Sequence, residues 1–242
     1  MLSWKTWYLA PILLLQGWYV KRTIVRLPEA EGKREGSIGH LHPRALSILV
    51  LGDSAAAGVG VKTQQDALVG QLVGQLEPHY SITWQLLAKT GENTSSFRKL
   101  FDTSNPICAD WVIVSLGVND VTSRQSLRVF VEHTQRLINE IRERTGARHI
   151  ILTAVPPMHL FTGLPQPLRW VLGQRAKQLD SALSDVCDVL NCHHLTISDD
   201  NIVSSEAHSD MIAEDGFHPG KGAYMLWGQK VAELIVEQEG VN

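Results

Sequence analysis

The feature that constrains the fold most is a regular alternation of short apolar segments with longer segments of helical periodicity. Apolar or alternating runs, each short enough for one strand, occur at 47–51, 82–86, 111–114, 149–152 and 195–197. Between and after them, apolar residues recur every three to four positions at 68–76, 127–141, 172–186 and 227–235. Alternating strands and helices form a parallel sheet that is covered by helices on both faces. We therefore predict an α/β domain, and the polar positions within 82–86 and 195–197 predict that these two strands lie at sheet edges.

The first residues of the chain have a different character. Residues 6–20 carry no charge, have tryptophan and tyrosine near both ends, and are followed by Lys21, Arg22 and Arg26. Fifteen residues are fewer than the roughly 20 that a helix needs to cross a bilayer. Aromatic side chains and flanking cations are nevertheless typical of a segment at a membrane surface. The alternative is a helix that packs on its own domain.

These patterns divide the chain into three parts. We predict a membrane-associating segment at 1–26, which contacts lipid through residues 4–26. The polar, glycine-containing stretch 27–45 is predicted to be a linker, and 46–242 to be one folded domain. The cations after the apolar segment predict a cytoplasmic location for this domain if the segment spans a membrane.

Composition excludes several classes of protein. The chain has 22 Lys and Arg against 25 Asp and Glu, so it lacks the basic surplus of a nucleic-acid binder. Its three cysteines, Cys108, Cys187 and Cys192, form no disulfide framework. Two of them precede His193 and His194, which allows a zinc site, but the usual C-x2-C spacing is missing. We predict neither a metal nor an organic cofactor, and nothing in the sequence indicates the oligomeric state.

The loop after the first predicted strand contains a candidate nucleophile. In parallel sheets of this kind, sites form outside the carboxyl ends of the strands. Gly52, Asp53 and Ser54 directly follow the run 47–51, and the glycine permits a sharp turn that exposes the serine at the strand tip. A serine acts as a nucleophile only if a base takes its proton, and Gly-Asp-Ser is also ordinary turn composition.

A candidate base precedes the last helix. Asp215 and His218 are three residues apart, so the carboxylate can meet the imidazole N–H and hold the ring in one tautomer. The alternative is a pair of residues that caps the entry to the helix. Asp199, Asp200 and Asp210 are further candidates for the carboxylate, but they lie farther from the histidine in sequence.

Two other loops offer hydrogen-bond donors for a developing oxyanion. Gly91 follows the strand at 82–86, and a glycine lets a backbone N–H approach a substrate closely. Asn119, in the run Gly-Val-Asn-Asp at 117–120, follows the strand at 111–114 and carries a side-chain amide. Each loop alone is more often a plain turn. Independent turns do not explain why nucleophile, donors and base all follow strand ends.

This set of motifs resembles the SGNH, or GDSL, hydrolases. The blocks GDS at 52–54, Gly at 91, GxND at 117–120 and DxxH at 215–218 occur in the family's order within residues 47–236. The resemblance implies a three-layer α/β/α fold with a five-stranded parallel sheet of flavodoxin-like strand order. The roles that it implies are a Ser54 nucleophile, a His218 base held by Asp215, and an oxyanion hole formed by the N–H groups of Ser54 and Gly91 and the Asn119 amide.

The resemblance also implies an activity. We expect hydrolysis of carboxylic esters, of lipids or small acyl compounds, through an acyl-enzyme on Ser54 and without a cofactor. An O-acyltransferase or a polysaccharide deacetylase would use the same residues, whereas a non-catalytic, membrane-tethered binding module would not need them. The chain has neither the G-x-S-x-G motif of α/β-hydrolases nor the H-E-x-x-H of zinc hydrolases. The apolar, proline-rich stretch 155–170 predicts a lid or an acyl-binding wall, or simply packing on the sheet.

Overall fold

The computed structural model describes residues 8–39, 42–102, 105–123, 125–196 and 210–240. Its strands are β1 (Glu35–Ile38), β2 (Ala45–Gly52), β3 (Ser81–Ala88), β4 (Trp111–Ser115), β5 (His149–Thr153) and β6 (His193–Leu195). Its α-helices are α1 (Ala10–Thr23), α2 (Leu68–Leu76), α3 (Arg98–Asp102), α4 (Val118–Thr122), α5 (Leu127–Thr145), α6 (Leu168–Val189) and α7 (Lys221–Gln238). A short 3₁₀ helix at Met158–Leu160 interrupts the proline-rich loop.

The strands form one sheet in the order β1-β3-β2-β4-β5-β6. Strands β2 to β6 are parallel, and their order is flavodoxin-like, so the predicted three-layer fold is confirmed. The sixth strand, β1, pairs antiparallel with β3. The prediction that β3 is an edge strand is therefore wrong. Among the described residues, β6 lies at the other edge of the sheet, as predicted.

Strand β1 lies within residues 27–45, where the composition predicted a linker. The segment is bonded to the carboxyl end of β3, because Arg34 Nη1 donates to the Ala88 carbonyl at 2.6 Å. Glu29 accepts from the backbone and the hydroxyl of Thr90, both at 2.7 Å, and also pairs with Arg34. An edge strand needs only backbone pairing on one side, so its sequence carries no apolar signal. The structure thus differs from the linker prediction at this segment.

The hydrophobic core lies on both faces of the sheet because successive side chains of a buried strand point in opposite directions. On β2, Leu49 and Leu51 pack in the cluster beneath α5 and α6. Ile48 and Val50 pack in the second cluster beneath α2 and α7. Both faces of β2 are thus covered by apolar side chains, as expected for a central strand. The carboxyl end of β2 therefore lies in the middle of the row of strand ends.

Helix α1 lies outside these two clusters, against the start of α6. Its Gln16 side chain donates to the Gln166 carbonyl at 2.6 Å and accepts from the Leu168 N–H at 3.0 Å. Val20 packs against the core, but no residue of the helix is buried. Among the described residues, no helix has the length and apolar character needed to cross a bilayer.

Candidate active site

Ser54 stands at the tip of β2, the strand between β3 and β4. The preceding Gly52 has no positive φ, so the flexibility that the sequence suggested is not what requires glycine there. A Cβ on Gly52 would lie 2.5 Å from both the Ser115 carbonyl oxygen and the Ala56 Cβ. A side chain would therefore push β4 away from β2 and displace the serine, and lack of space is what demands glycine.

The structure brings Ser54 to His218 from 164 positions away in sequence. The serine Oγ lies 3.0 Å from His218 Nε2, and His218 Nδ1 lies 2.5 Å from Asp215 Oδ2. A carboxylate can only accept a hydrogen bond, so the ring proton resides on Nδ1. Nε2 is then left as an acceptor for the serine hydroxyl, which is the protonation state that a general base needs.

Asp215 is held in place by its own turn. Its Oδ1 accepts from the backbone N–H groups of Phe217 at 2.9 Å and of His218 at 3.0 Å. Burial acts to raise the pKa of Asp215, but the hydrogen bonds from His218 and Phe217 outweigh it and leave the pKa below its usual value. The group is therefore an anion at neutral pH, suited to stabilise a protonated imidazole. Of the other candidate carboxylates, Asp199 and Asp200 lie outside the described residues.

Asn119 and Gly91 occupy the loops on either side of the serine. Asn119 is the second residue of the short helix α4, which follows Gly117. Gly117 has a φ of 131°, and a Cβ there would lie 2.8 Å from a Val155 methyl, so the position has no room for a side chain. The Asn119 amide nitrogen donates to the Glu92 carbonyl at 2.8 Å and lies 3.4 Å from Asp53 Oδ2. Gly91, one residue before Glu92, is exposed and has a φ of 90°. The amide thus links the loops after β2, β3 and β4.

Two buried carboxylates lie beneath these loops. Burial, the largest contribution, raises the pKa of Asp53 to about 7. The negative charge of Asp120 also raises this pKa, whereas the hydrogen bond from the Ala55 N–H lowers it. Burial also raises the pKa of Asp120, opposed by hydrogen bonds from Thr94 and Gln125. Thr94 Oγ1 donates to Asp120 Oδ1 at 2.6 Å, which ties the loop after β3 to α4.

Sequence reasoning missed two residues that support the nucleophile. Asp53 was seen only as part of a turn, yet its Oδ1 accepts from Ala55 N–H at 3.0 Å and shapes the turn after the serine. The buried hydroxyl of Tyr224, on α7, contacts the Ala55 carbonyl at 2.9 Å and the Val59 carbonyl at 2.7 Å. Helical periodicity places Tyr224 on the buried face of α7, but no sequence signal identifies the carbonyls that its hydroxyl meets.

An apolar cavity of about 160 Å³ opens beside Ser54 and His218. One wall is the stretch 154–161, which overlaps the segment 155–170 that the sequence predicted as a lid, an acyl-binding wall or packing on the sheet. The first two turns of α7 also line the cavity. Apolar side chains from these walls and from neighbouring segments provide most of the lining, among them Leu116, Val118, Leu160, Phe161, Met211, Phe217, Leu226 and Trp227. The cavity can take an apolar group attached to a carbon that Ser54 attacks.

Comparison with known proteins agrees with this geometry. Residues 50–226 match the model of the GDSL-like lipase/acylhydrolase family. None of the curated proteins matches the chain at the level of sequence. Among solved structures, a lipase/acylhydrolase from Enterococcus faecalis is 19% identical with a TM-score of 0.61, covering 80% of this chain and 96% of its own.

Two further solved structures share the fold. The psychrotrophic esterase EstA from Pseudoalteromonas sp. is 19% identical with a TM-score of 0.59, and covers 80% of this chain and 98% of its own. The acetylxylan esterase Axe2 from Geobacillus stearothermophilus is 18% identical with a TM-score of 0.54, and covers 82% of this chain and 96% of its own. The family model spans well over half of the sequence. The chain therefore belongs to the GDSL-like lipase/acylhydrolase family and is a hydrolase that acts on esters.

Proposed function

We propose that the protein hydrolyses carboxylic esters of aliphatic acids through an acyl-enzyme on Ser54. The observation that carries the proposal is the continuous series of contacts from Ser54 Oγ to His218 Nε2 at 3.0 Å and from His218 Nδ1 to Asp215 Oδ2 at 2.5 Å. A serine hydroxyl is a weak nucleophile unless a positioned base accepts its proton as it attacks. Ser54, His218 and Asp215 have the contacts that this activation requires.

The reaction follows from these contacts in two halves. Ser54 Oγ attacks the acyl carbonyl while His218 Nε2 takes the hydroxyl proton, and Asp215 stabilises the resulting imidazolium. The tetrahedral intermediate then breaks its bond to the alcohol oxygen, which leaves with the proton from Nε2. In the second half a water molecule gives a proton to Nε2 and attacks the acyl carbon. Collapse of the second intermediate returns that proton to Ser54 Oγ and releases the acid.

Three donors are available to the oxyanion in this proposal: the backbone N–H groups of Ser54 and Gly91 and the side-chain amide of Asn119. The amide has two hydrogens, and the Glu92 carbonyl accepts one of them at 2.8 Å. The other faces Asp53 at 3.4 Å, which is longer than an ordinary hydrogen bond. In this proposal that hydrogen leaves the long contact with Asp53 and turns to the oxyanion. One such donor is worth about 3 kcal/mol, or 10²–10³ in rate.

The cavity beside the serine supports an aliphatic acyl group as the substrate's recognised part. Its volume of about 160 Å³ is close to that of an apolar cavity of roughly 150 Å³ that binds benzene. An acyl chain of about six carbons, the carbon count of benzene, has a comparable bulk. The apolar lining also offers few groups that could bind sugar hydroxyls, which favours an acyl ester over a polysaccharide deacetylase as the activity of this site.

Two measurements test the proposal together. A fluorophosphonate probe should label the wild type at Ser54, and p-nitrophenyl esters of increasing chain length should be hydrolysed with highest kcat/KM at an intermediate length. Ser54→Ala should abolish both, whereas Ser115→Ala is the matched control, because Ser115 also lines the cavity. Folded wild type that neither takes the label nor hydrolyses any ester of the series would refute the proposal.

The same acyl-enzyme could pass its acyl group to an alcohol instead of water. The products distinguish the two outcomes when the best ester is incubated with and without added glycerol. Hydrolysis predicts the free acid as the main product in both cases. A main product that changes to the glycerol ester would assign the protein as an acyltransferase with the same residues.

A further inference from the structure

The outer face of α1 carries the largest group of exposed apolar side chains in the described part of the chain. The described residues include eleven exposed large hydrophobic side chains, and seven of these belong to residues 8–25. Leu14 and Leu15 are 69% and 67% exposed, and Trp18 and Tyr19 are 56% and 57% exposed. Trp170, also half exposed, lies near the start of α6, the helix that α1 contacts.

The helix is apolar on both sides, which is unusual for a surface helix. Leu13, Gln16, Gly17 and Val20 are less exposed and recur with helical spacing, so they form the side that faces the domain. The opposite side carries leucine and aromatic residues where a surface helix normally has charges. A helix that is apolar all round is normally buried all round. One side of α1 is covered by its own domain, and the other requires a second apolar partner.

Charge identifies the chemistry of that partner. Residues 1–28 contain no Asp or Glu, but they contain Lys5, Lys21, Arg22 and Arg26. The Arg22 guanidinium lies over the Trp18 ring, 4.1 Å from its centre, so a cation and an aromatic ring occupy the same end of the helix. This combination matches a membrane interface, where aromatic rings lie at the headgroup level and cations meet anionic lipids.

The length of the helix determines how it meets the membrane. Fourteen residues extend about 21 Å at 1.5 Å each, less than the roughly 30 Å of a hydrocarbon core. A helix of this length lies in the plane of the interface, with its apolar face among the acyl chains. We propose that α1 and Trp170 form a docking surface for a bilayer that contains anionic lipid.

The way α1 is attached relates this surface to the cavity. Gln16 is bonded to Gln166 and Leu168, and the stretch 154–161 that forms a cavity wall ends five residues before Gln166. Within the loop, the Leu164 N–H donates to the Phe161 carbonyl at 3.2 Å. The docked helix would therefore hold the cavity wall close to the lipid, from which an acyl ester can enter. The docking itself does not depend on the proposed catalysis.

Flotation of the full chain with vesicles tests the proposal. Ether-linked lipids, which contain no acyl ester, keep the measurement independent of hydrolysis. The wild type should float with vesicles of phosphatidylcholine and phosphatidylglycerol in equal parts, and more weakly with phosphatidylcholine alone. The substitutions Leu15→Ser and Trp18→Ser should each weaken binding to both vesicles about tenfold or more, because each removes an exposed apolar side chain that the bilayer would bury. Replacing Lys21 and Arg22 by serine should cost about fivefold per charge, on the anionic vesicles only.

The control is Val189→Ser, which removes another strongly exposed apolar side chain, at the far end of α6. This variant should float like the wild type, and thermal unfolding checks that every variant is folded. A full chain that binds neither vesicle would overturn the proposal. A wild type that is dimeric in buffer and becomes monomeric on Trp18→Ser would also overturn it, because a second copy would then cover the face.

Discussion

Replacing Asp215 by asparagine should inactivate the protein by reversing the imidazole tautomer rather than by moving any atom. Asp215 Oδ1 accepts from two backbone N–H groups, those of Phe217 and His218, at 2.9 and 3.0 Å. In the variant these donors retain the amide oxygen on their side, so the amide NH₂ faces His218 Nδ1. That nitrogen must then accept, its proton moves to Nε2, and the ring donates to Ser54 where it should accept.

The magnitude follows from the loss of the base. A histidine base held in the wrong tautomer lowers kcat about 10⁴-fold in a serine hydrolase, which corresponds to a loss of about 5 kcal/mol of transition-state stabilisation. KM should change little, because the apolar cavity is untouched. Both constants are measured with the best p-nitrophenyl ester, and the rate of fluorophosphonate labelling provides a second readout of the same step.

A second aspartate–histidine pair provides the control. Asp180 Oδ1 lies 3.0 Å from His194 Nε2 and accepts from the Val155 N–H at 2.9 Å. Within the part of the chain that the structure describes, no serine hydroxyl bonds to this histidine. Asp180→Asn should change kcat by about twofold or less, as for an ordinary substitution near the surface. If the Asp215→Asn protein is folded and retains a kcat within tenfold of the wild type, the tautomer reasoning is wrong.

Three further outcomes are expected. Leu226→Ala should move the preferred acyl chain to a greater length and Leu226→Trp to a shorter one, because Leu226 lines the cavity. The same changes at the exposed neighbour Met225 should leave the preferred length unaltered. Parallel shifts at both positions would contradict this assignment of Leu226. Tyr224→Phe should lower the free energy of unfolding in urea by about 1–3 kcal/mol, since the buried Val59 carbonyl loses its hydroxyl partner, whereas the Ala55 carbonyl still accepts from the Gly58 N–H. An unchanged unfolding midpoint would count against this role. Because the pKa of Asp53 is raised to about 7, the folded state binds a proton more tightly than the unfolded state, so the free energy of unfolding of the wild type should fall as pH rises from 5 to 8. Asp53→Asn should remove that part of the pH dependence. Identical pH profiles of stability for the two proteins would refute this role of Asp53.

The sequence predicted the secondary structure best where the signal is local. The runs 48–51 and 111–114 are apolar throughout and belong to the central strands β2 and β4. The segment 35–38 was missed because an edge strand of mixed polarity resembles a loop in composition. The polar positions Thr83 and Gln85 made β3 look like an edge strand, whereas both lie opposite residues of β1.

For the candidate site, the sequence indicated which loops to examine, and the structure supplied the distances. The family motifs identified Ser54, Asp215 and His218 because each follows a strand or precedes a helix at a defined spacing. They did not reveal that Asp53 is buried beside Asp120, which depends on how completely neighbouring loops exclude water. They also left open whether residues 155–170 pack on the sheet or line a cavity.

What the sequence determined by itself is the order of strands and helices, since hydrophobic periodicity records which side of each segment is buried. That order, with parallel connectivity, already places the motif loops at one edge of a sheet. Only the tertiary structure decided which polar groups meet and how much apolar space remains between the walls. Ser54 and His218 are 164 residues apart, and Gln16 finds its partners about 150 residues away. Contacts over such separations depend on packing of the whole domain, and no local pattern encodes them.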